Sequence, residues 1–115
     1  MTATVYRWSE LAVDRPMERI TRRRVVGANV MISHVTLERG FVVPPHSHSN
    51  EQMVCVISGA LRFTLAGSER VVRAGEVLHL PGGVEHGAEA IEDSVVMDVF
   101  SPVSEKTGVD RQSEK

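Results

Sequence analysis

From Val25 onward the sequence runs in short stretches of Val, Ile, Leu and Phe, broken by Gly, Pro, Ser and Asn at intervals of about ten residues. That rhythm constrains the fold more than any other feature. It predicts strands near 28–37, 41–43, 52–58, 61–65, 69–73, 77–80, 86–90 and 95–100. The turn signals fall between them, at Glu38–Gly40, Pro44–Pro45, Ser58–Gly59, Ala66–Ser68, Arg73–Gly75, Pro81–Gly83 and Glu92–Asp93. No segment carries a long 3.6-residue period, so helix is expected only as a terminal turn and the class is all-β, a sandwich or barrel. Residues 1–24, with Pro16 and the run Arg22–Arg24, read as an N-terminal arm contributing an edge strand, the arginines forming a solvated face. Residues 25–103 read as the barrel, and 104–115 as a polar tail expected to fray.

A chain of 115 residues is enough for one compact domain. With 42% hydrophobic and 24% charged residues it can bury a core without disulfides. A formal net charge of −2 offers no basic face to neutralise phosphates, which argues against nucleic acid as a partner. The one cysteine, Cys55, excludes an internal disulfide framework and a cysteine-based zinc knuckle. The N-terminus carries no apolar run of signal-peptide length, and no window approaches the ~20 apolar residues that span a bilayer. A soluble cytoplasmic protein is the expectation.

His46 and His48 are separated by one residue, and positions i and i+2 of an extended chain face the same way, so both imidazoles can reach one ion. Gln52 keeps the same parity, and barrel closure can bring His86 opposite. Imidazole nitrogen suits Zn, Cu, Fe, Ni and Mn, while an amide oxygen is a weaker ligand that leaves a divalent transition-metal ion more Lewis-acidic. Positions left open to water or substrate belong to a catalytic rather than a structural site. A His-x-His pair beside prolines is also what a solvated loop looks like.

Gly40-Phe-Val-Val-Pro-Pro-His46-Ser-His48-Ser-Asn-Glu-Gln52, followed by Val54, Val56 and Gly59, resembles the first cupin motif. Gly75-Glu-Val-Leu-His-Leu-Pro81-Gly-Gly83-Val-Glu-His86 resembles the second. The resemblance covers roughly residues 25–101 and implies a double-stranded β-helix, or jelly-roll, barrel, which removes exposed sheet edges. It implies a metal held by His46, His48 and His86. Gln52 stands in place of the usual glutamate ligand, with Glu51 as the fallback although its parity points away. Ala90 stands where an asparagine often follows the last histidine.

The last strand, Ser94-Val-Val-Met-Asp98-Val-Phe100, can present either Asp98 and Phe100 or Met97 and Val99 inward. An inward aspartate is costly unless paired, hydrated or used, and near a bound substrate it suits general acid/base work. His-Ser-His-Ser-Asn-Glu-Gln52 and Asp98-Val-Phe-Ser-Pro102 resemble the small cupins that linearise unsaturated uronates in pectin and alginate breakdown (KdgF-like proteins). That resemblance implies a metal on His46, His48, Gln52 and His86, with Asp98 and Phe100 catalytic. The implied reaction opens a cyclic 4,5-unsaturated uronate to its keto form. Ser104 stands where that family carries an arginine suited to a substrate carboxylate. Arg24, Lys106 and Arg111 are the cations that could stand in. A metal-dependent dioxygenase and a non-enzymatic binding or sensing module are the competing readings.

Of the remaining candidates, His34 reads as a half-buried structural histidine, His79 as outward-facing and Cys55 as a packed small hydrophobe. Val95–Phe100 is apolar on both faces apart from Asp98, so its outer side needs a cover, and a homodimer is expected.

Overall fold

The structure is a computed structural model that describes residues 2–104 and 107–112. Nine strands follow in chain order: β1 (Ile20–Val26), β2 (Met31–Leu37), β3 (Val42–His46), β4 (Glu51–Ser58), β5 (Ala60–Leu65), β6 (Ser68–Arg73), β7 (Val77–Leu80), β8 (His86–Ala90) and β9 (Ser94–Ser101). They build two antiparallel sheets, ordered β1-β2-β9-β4-β7 and β3-β8-β5-β6. Ile20, Val35, Leu37, Val54, Val56 and Val96 of the first sheet pack on Val43, Leu61, Phe63, Val72 and Ala90 of the second. The result is a jelly-roll barrel. A single 3₁₀ turn covers Trp8–Glu10, and a short helix, α1, spans Gly108–Gln112.

Turn chemistry sets the joints. Gly59, between β4 and β5, has φ +86°, and a Cβ there would overlap Ser94 Oγ and the Asp93 carbonyl. Only glycine fits such a left-handed, crowded position. Gly27 donates to the Val30 carbonyl at 2.8 Å, closing the β1–β2 turn. The strand expected from residue 28 therefore begins only at Met31.

Pro44–Pro45 gives a second correction. Expected as a turn, the pair lies inside β3, where the pairing with β8 slips between Val43 and His46. Proline lacks an amide donor and is tolerated on an edge strand at a bulge, and β3 is an edge strand. The bulge resets the side-chain alternation, so Val43 and His46, three residues apart, both line the barrel interior.

The tail gives a third. Expected to fray, its described part is docked on the barrel: Thr107 is buried and α1 packs on β3. Asp110 ties down the start of α1, the Thr107 backbone N–H and hydroxyl both donating to Asp110 Oδ2 at 2.8 and 3.0 Å.

Candidate metal centre

Register places the site at one end of the barrel. Phe100 is opposite Gln52 and Met31, and Asp98 is opposite Val54 and Ser33. On the other sheet His46 pairs with His86. Asp98 and Phe100, not Met97 and Val99, thus join His46, His48, Gln52 and His86 in the lining of one cavity.

The three histidines are oriented by the backbone. His46 Nδ1 lies 2.8 Å from the Pro44 carbonyl, His48 Nδ1 3.1 Å from that of Asn50, and His86 Nδ1 2.9 Å from that of Val84. A carbonyl oxygen only accepts, so each Nδ1 carries the proton and each Nε2 keeps a lone pair. The ring centroids of His46 and His86 are 4.5 Å apart, and those of His48 and His86 5.0 Å. One ligand atom from each of the three lies within 4.8 Å of the others, so this triad could hold a metal ion.

Gln52 extends the set. Its Nε2 donates to Asp98 Oδ1 at 3.2 Å, which turns its Oε1 toward His48 Nε2, also at 3.2 Å. That contact joins two acceptors with no proton between them. A shared cation turns this repulsion into ligation, so the donor set fits a metal of the kind imidazole and amide oxygen prefer.

Burial, opposed by the Asn50 carbonyl, lowers the pKa of His48. Burial together with the neighbouring His46 and His48 takes His86 down to about 4. His86 is therefore neutral and ligand-ready at neutral pH. Asp98 is half-buried in the cavity, and desolvation there pushes its carboxyl up to about 6 against the Gln52 hydrogen bond and the charge of Arg22. Phe100 is buried and meets the His48 ring edge-on at 6.0 Å between centroids.

Glu51, the fallback ligand, points to the outer face, where its Oε2 lies 2.6 Å from His79 Nε2, both side chains being exposed. His34 is half-buried with its ring 5.5 Å from that of Trp8, and Cys55 is half-buried on the outer side of β4. Among the suggested cations, Arg24 reaches Asp14 at 3.6 Å and Arg111 the Ser47 carbonyl at 3.4 Å; neither lines the cavity. Lys106 lies outside the described residues.

Arg22 is the residue that sequence reasoning misplaced. Read as part of a solvated face, it is only 4% exposed and lines the same cavity as Asp98. Its place one strand period after the buried Ile20 was the available signal.

A cupin-domain family model matches residues 33–101, more than half of the chain. KdgF from a Halomonas species superposes with a TM-score of 0.82 at 31% identity, over 88% of this chain and 96% of that one. An RmlC-like cupin from Shewanella frigidimarina does so at 0.83 and 21% identity, over 90% and 95%. An oxalate decarboxylase variant from Bacillus subtilis shares the fold at 0.77 and 20% identity, with 90% of this chain covering 32% of the longer one. No curated protein sequence matches. The chain belongs to the cupin family.

Proposed function

We propose that this cupin holds one divalent transition-metal ion on His46, His48, Gln52 and His86 and, with Asp98, opens the ring of a 4,5-unsaturated uronate. The observation that carries the reading is the line His48–Gln52–Asp98, in which the Gln52 amide turns its oxygen to His48 Nε2 and donates its N–H to Asp98. It couples a proton-transfer group to the candidate ligand set inside one cavity, and the similarity to KdgF supports the same chemistry.

The substrate of that reaction is a cyclic hemiacetal with an enol-ether double bond between C4 and C5. Loss of the O1 proton lets C1=O form while the C1–O5 ring bond breaks, its electron pair staying on O5. The resulting enolate takes a proton at C4 as C5=O forms. One proton has moved from O1 to C4, and no oxidant is needed. Asp98 suits both transfers, because a carboxyl near pKa 6 accepts and releases protons close to neutral pH. A bound ion supplies Lewis acidity to sugar oxygens. Phe100 offers a flat apolar face to the ring and keeps water from the reacting carbons.

Metal-loaded protein should remove the conjugated double-bond absorbance of unsaturated galacturonate faster than the spontaneous rate, and Asp98→Asn should lose most of that gain, by roughly 10²-fold or more. No acceleration over background sinks the reading. Oxygen uptake with no isomerisation would favour the dioxygenase alternative.

The outer face of the five-stranded sheet supports a homodimer. Met53 pairs with Val99, and Cys55 with Met97 and Val77, while Met53, Ile57 and Val77 are exposed. A contiguous apolar face of this kind marks an interaction site, and light scattering at the monomer mass would count against the dimer. Among the described residues no helix is long and apolar enough to cross a membrane.

A further inference from the structure

We propose that Arg22 is the carboxylate-binding group of this pocket, and that Asp110 of α1 occupies its place until a small-molecule carboxylate displaces it. The proposal rests on the uronate reading only for the choice of sugar; its core is a carboxylate site inside the metal cavity.

The Arg22 guanidinium is engaged along two edges. Nε and Nη2 donate to Asp14 Oδ1 and Oδ2 at 3.0 and 2.8 Å. Nη1 and Nη2 donate to Asp110 Oδ2 and Oδ1 at 2.9 and 2.7 Å. Both are bidentate forks, the geometry in which arginine recognises carboxylates best. Asp14 belongs to the N-terminal arm and bridges to β1 through backbone pairing with Arg22 on both sides. Asp110 belongs to a helix of five residues at the other end of the chain.

The two carboxylates therefore differ in how they are held. Asp14 is tied in place by its own backbone. Asp110 arrives on α1, a five-residue helix that packs on β3 and sets Val109 against the core. A ligand carboxylate on the Nη1–Nη2 edge would reproduce both hydrogen bonds and leave the local charge unchanged. A buried arginine left without that second anion would be costly, so exchange is favoured over simple opening.

The position fits the metal site. Arg22, Asp98, His46, His48 and Phe100 line one cavity, with Thr107, Gly108 and Val109 along the same wall. Gly108 packs directly on the His46 ring, and a Cβ at Gly108 would overlap His46 Nε2. The helix that supplies Asp110 thus also covers a candidate ligand nitrogen. Release of Asp110 from Arg22 and exposure of His46 Nε2 are then one movement, and an incoming carboxylate opens the pocket it enters.

The test is binding by metal-loaded protein of galacturonate, which has no double bond to react, beside galactose and acetate. Asp110→Ala removes the resident carboxylate, and Gly108→Ala drives α1 away from His46 while keeping Asp110. Each should strengthen galacturonate binding roughly tenfold or more, since apparent affinity scales with the fraction of molecules competent to bind. Galactose should respond to neither. Arg22→Gln should erase the preference for galacturonate over galactose, and this ratio remains readable in any folded fraction. If Asp110→Ala and Gly108→Ala both leave galacturonate and acetate binding unchanged, or weaken it, α1 is a structural cap and the proposal fails. If acetate binding rises and galacturonate binds to none of the proteins, the carboxylate site stands and the uronate reading falls.

Discussion

The two ends of the barrel are built from the same strands and obey different rules. At the closed end β2, β9, β4 and β8 turn Val35, Val96, Val56 and Ala90 inward, all nearly solvent-free. Further along, the same inward positions are Ser33, Asp98, Gln52 and His86. The closed end is apolar and packed. The open end gathers imidazoles, carboxyls, an amide and a guanidinium. Stability is concentrated at the first end, and chemistry at the second, where polar groups are held in place by a frame they do little to stabilise.

The largest effect that could break this division is in the core. Leu61, 2% exposed, packs on the core side chains of the closed end and forms part of the apolar lining of the cavity. Leu61→Ala should cost about 2–5 kcal/mol in denaturant unfolding through lost transfer energy and the cavity left behind. Metal content per folded molecule should stay that of the wild type. His86→Ala should do the reverse, abolishing metal uptake measured by elemental analysis while costing about 1–2 kcal/mol, as expected where a hydrogen bond to a backbone carbonyl is lost. If Leu61→Ala strips metal from the folded fraction, the two ends are not independent.

The docking of α1 gives a smaller, pH-dependent effect at the open end. Burial disfavours charge on Asp110, but its hydrogen bonds from Arg22 and Thr107 prevail and hold the carboxyl below its ordinary value. Burial likewise opposes charge on Arg22, and Asp110 and Asp14 outweigh it to raise the guanidinium pKa. Arg22 therefore stays charged, and Asp110 and Asp98 are the shifted carboxyls around it. A depressed carboxyl contributes stability that is fully present above its unfolded value, about 3.9, and lost as pH falls through the folded one. Limited proteolysis should find the tail protected from neutral pH down to about 4 and cut only below it. Tail cleavage that rises already between neutrality and about pH 5 would show that Arg22–Asp110 does not hold α1.

How much of this was legible depended on the range of the interaction. The alternation that marks β4 is local, and it put Gln52 on the face that the structure keeps inward; on β9 it left both faces open, and only the packed barrel turns Asp98 to the cavity. The Pro44–Pro45 bulge was not legible, because proline signals both a turn and an edge-strand irregularity, and only pairing with β8 decides between them. Arg22 was misplaced because what buries it is 88 residues away in sequence, on Asp110. The tail composition is polar, and nothing local marks Thr107–Asp110 as docked. Local period shows which face a residue takes; it does not show which distant segment comes to cover it.

The smallest expected effect probes the boundary between faces. Glu51 and Gln52 are adjacent in sequence, yet Glu51 meets His79 on the exposed face and Gln52 bridges His48 and Asp98 inside. An exposed side-chain pair contributes about 0–1 kcal/mol at most, so Glu51→Gln should shift unfolding by no more than about 0.5 kcal/mol, the ordinary range for a surface change. Metal content and affinity should not move, because the carboxylate it removes faces away from the site. Gln52→Glu, one residue on, should tighten metal binding by adding a charged oxygen ligand, while losing the amide N–H that reaches Asp98. Calorimetric titration of both variants with the same ion separates them. If Glu51→Gln weakens binding and Gln52→Glu leaves it unchanged, the strand presents its other face to the ion, and the inward assignment of β4 fails with it.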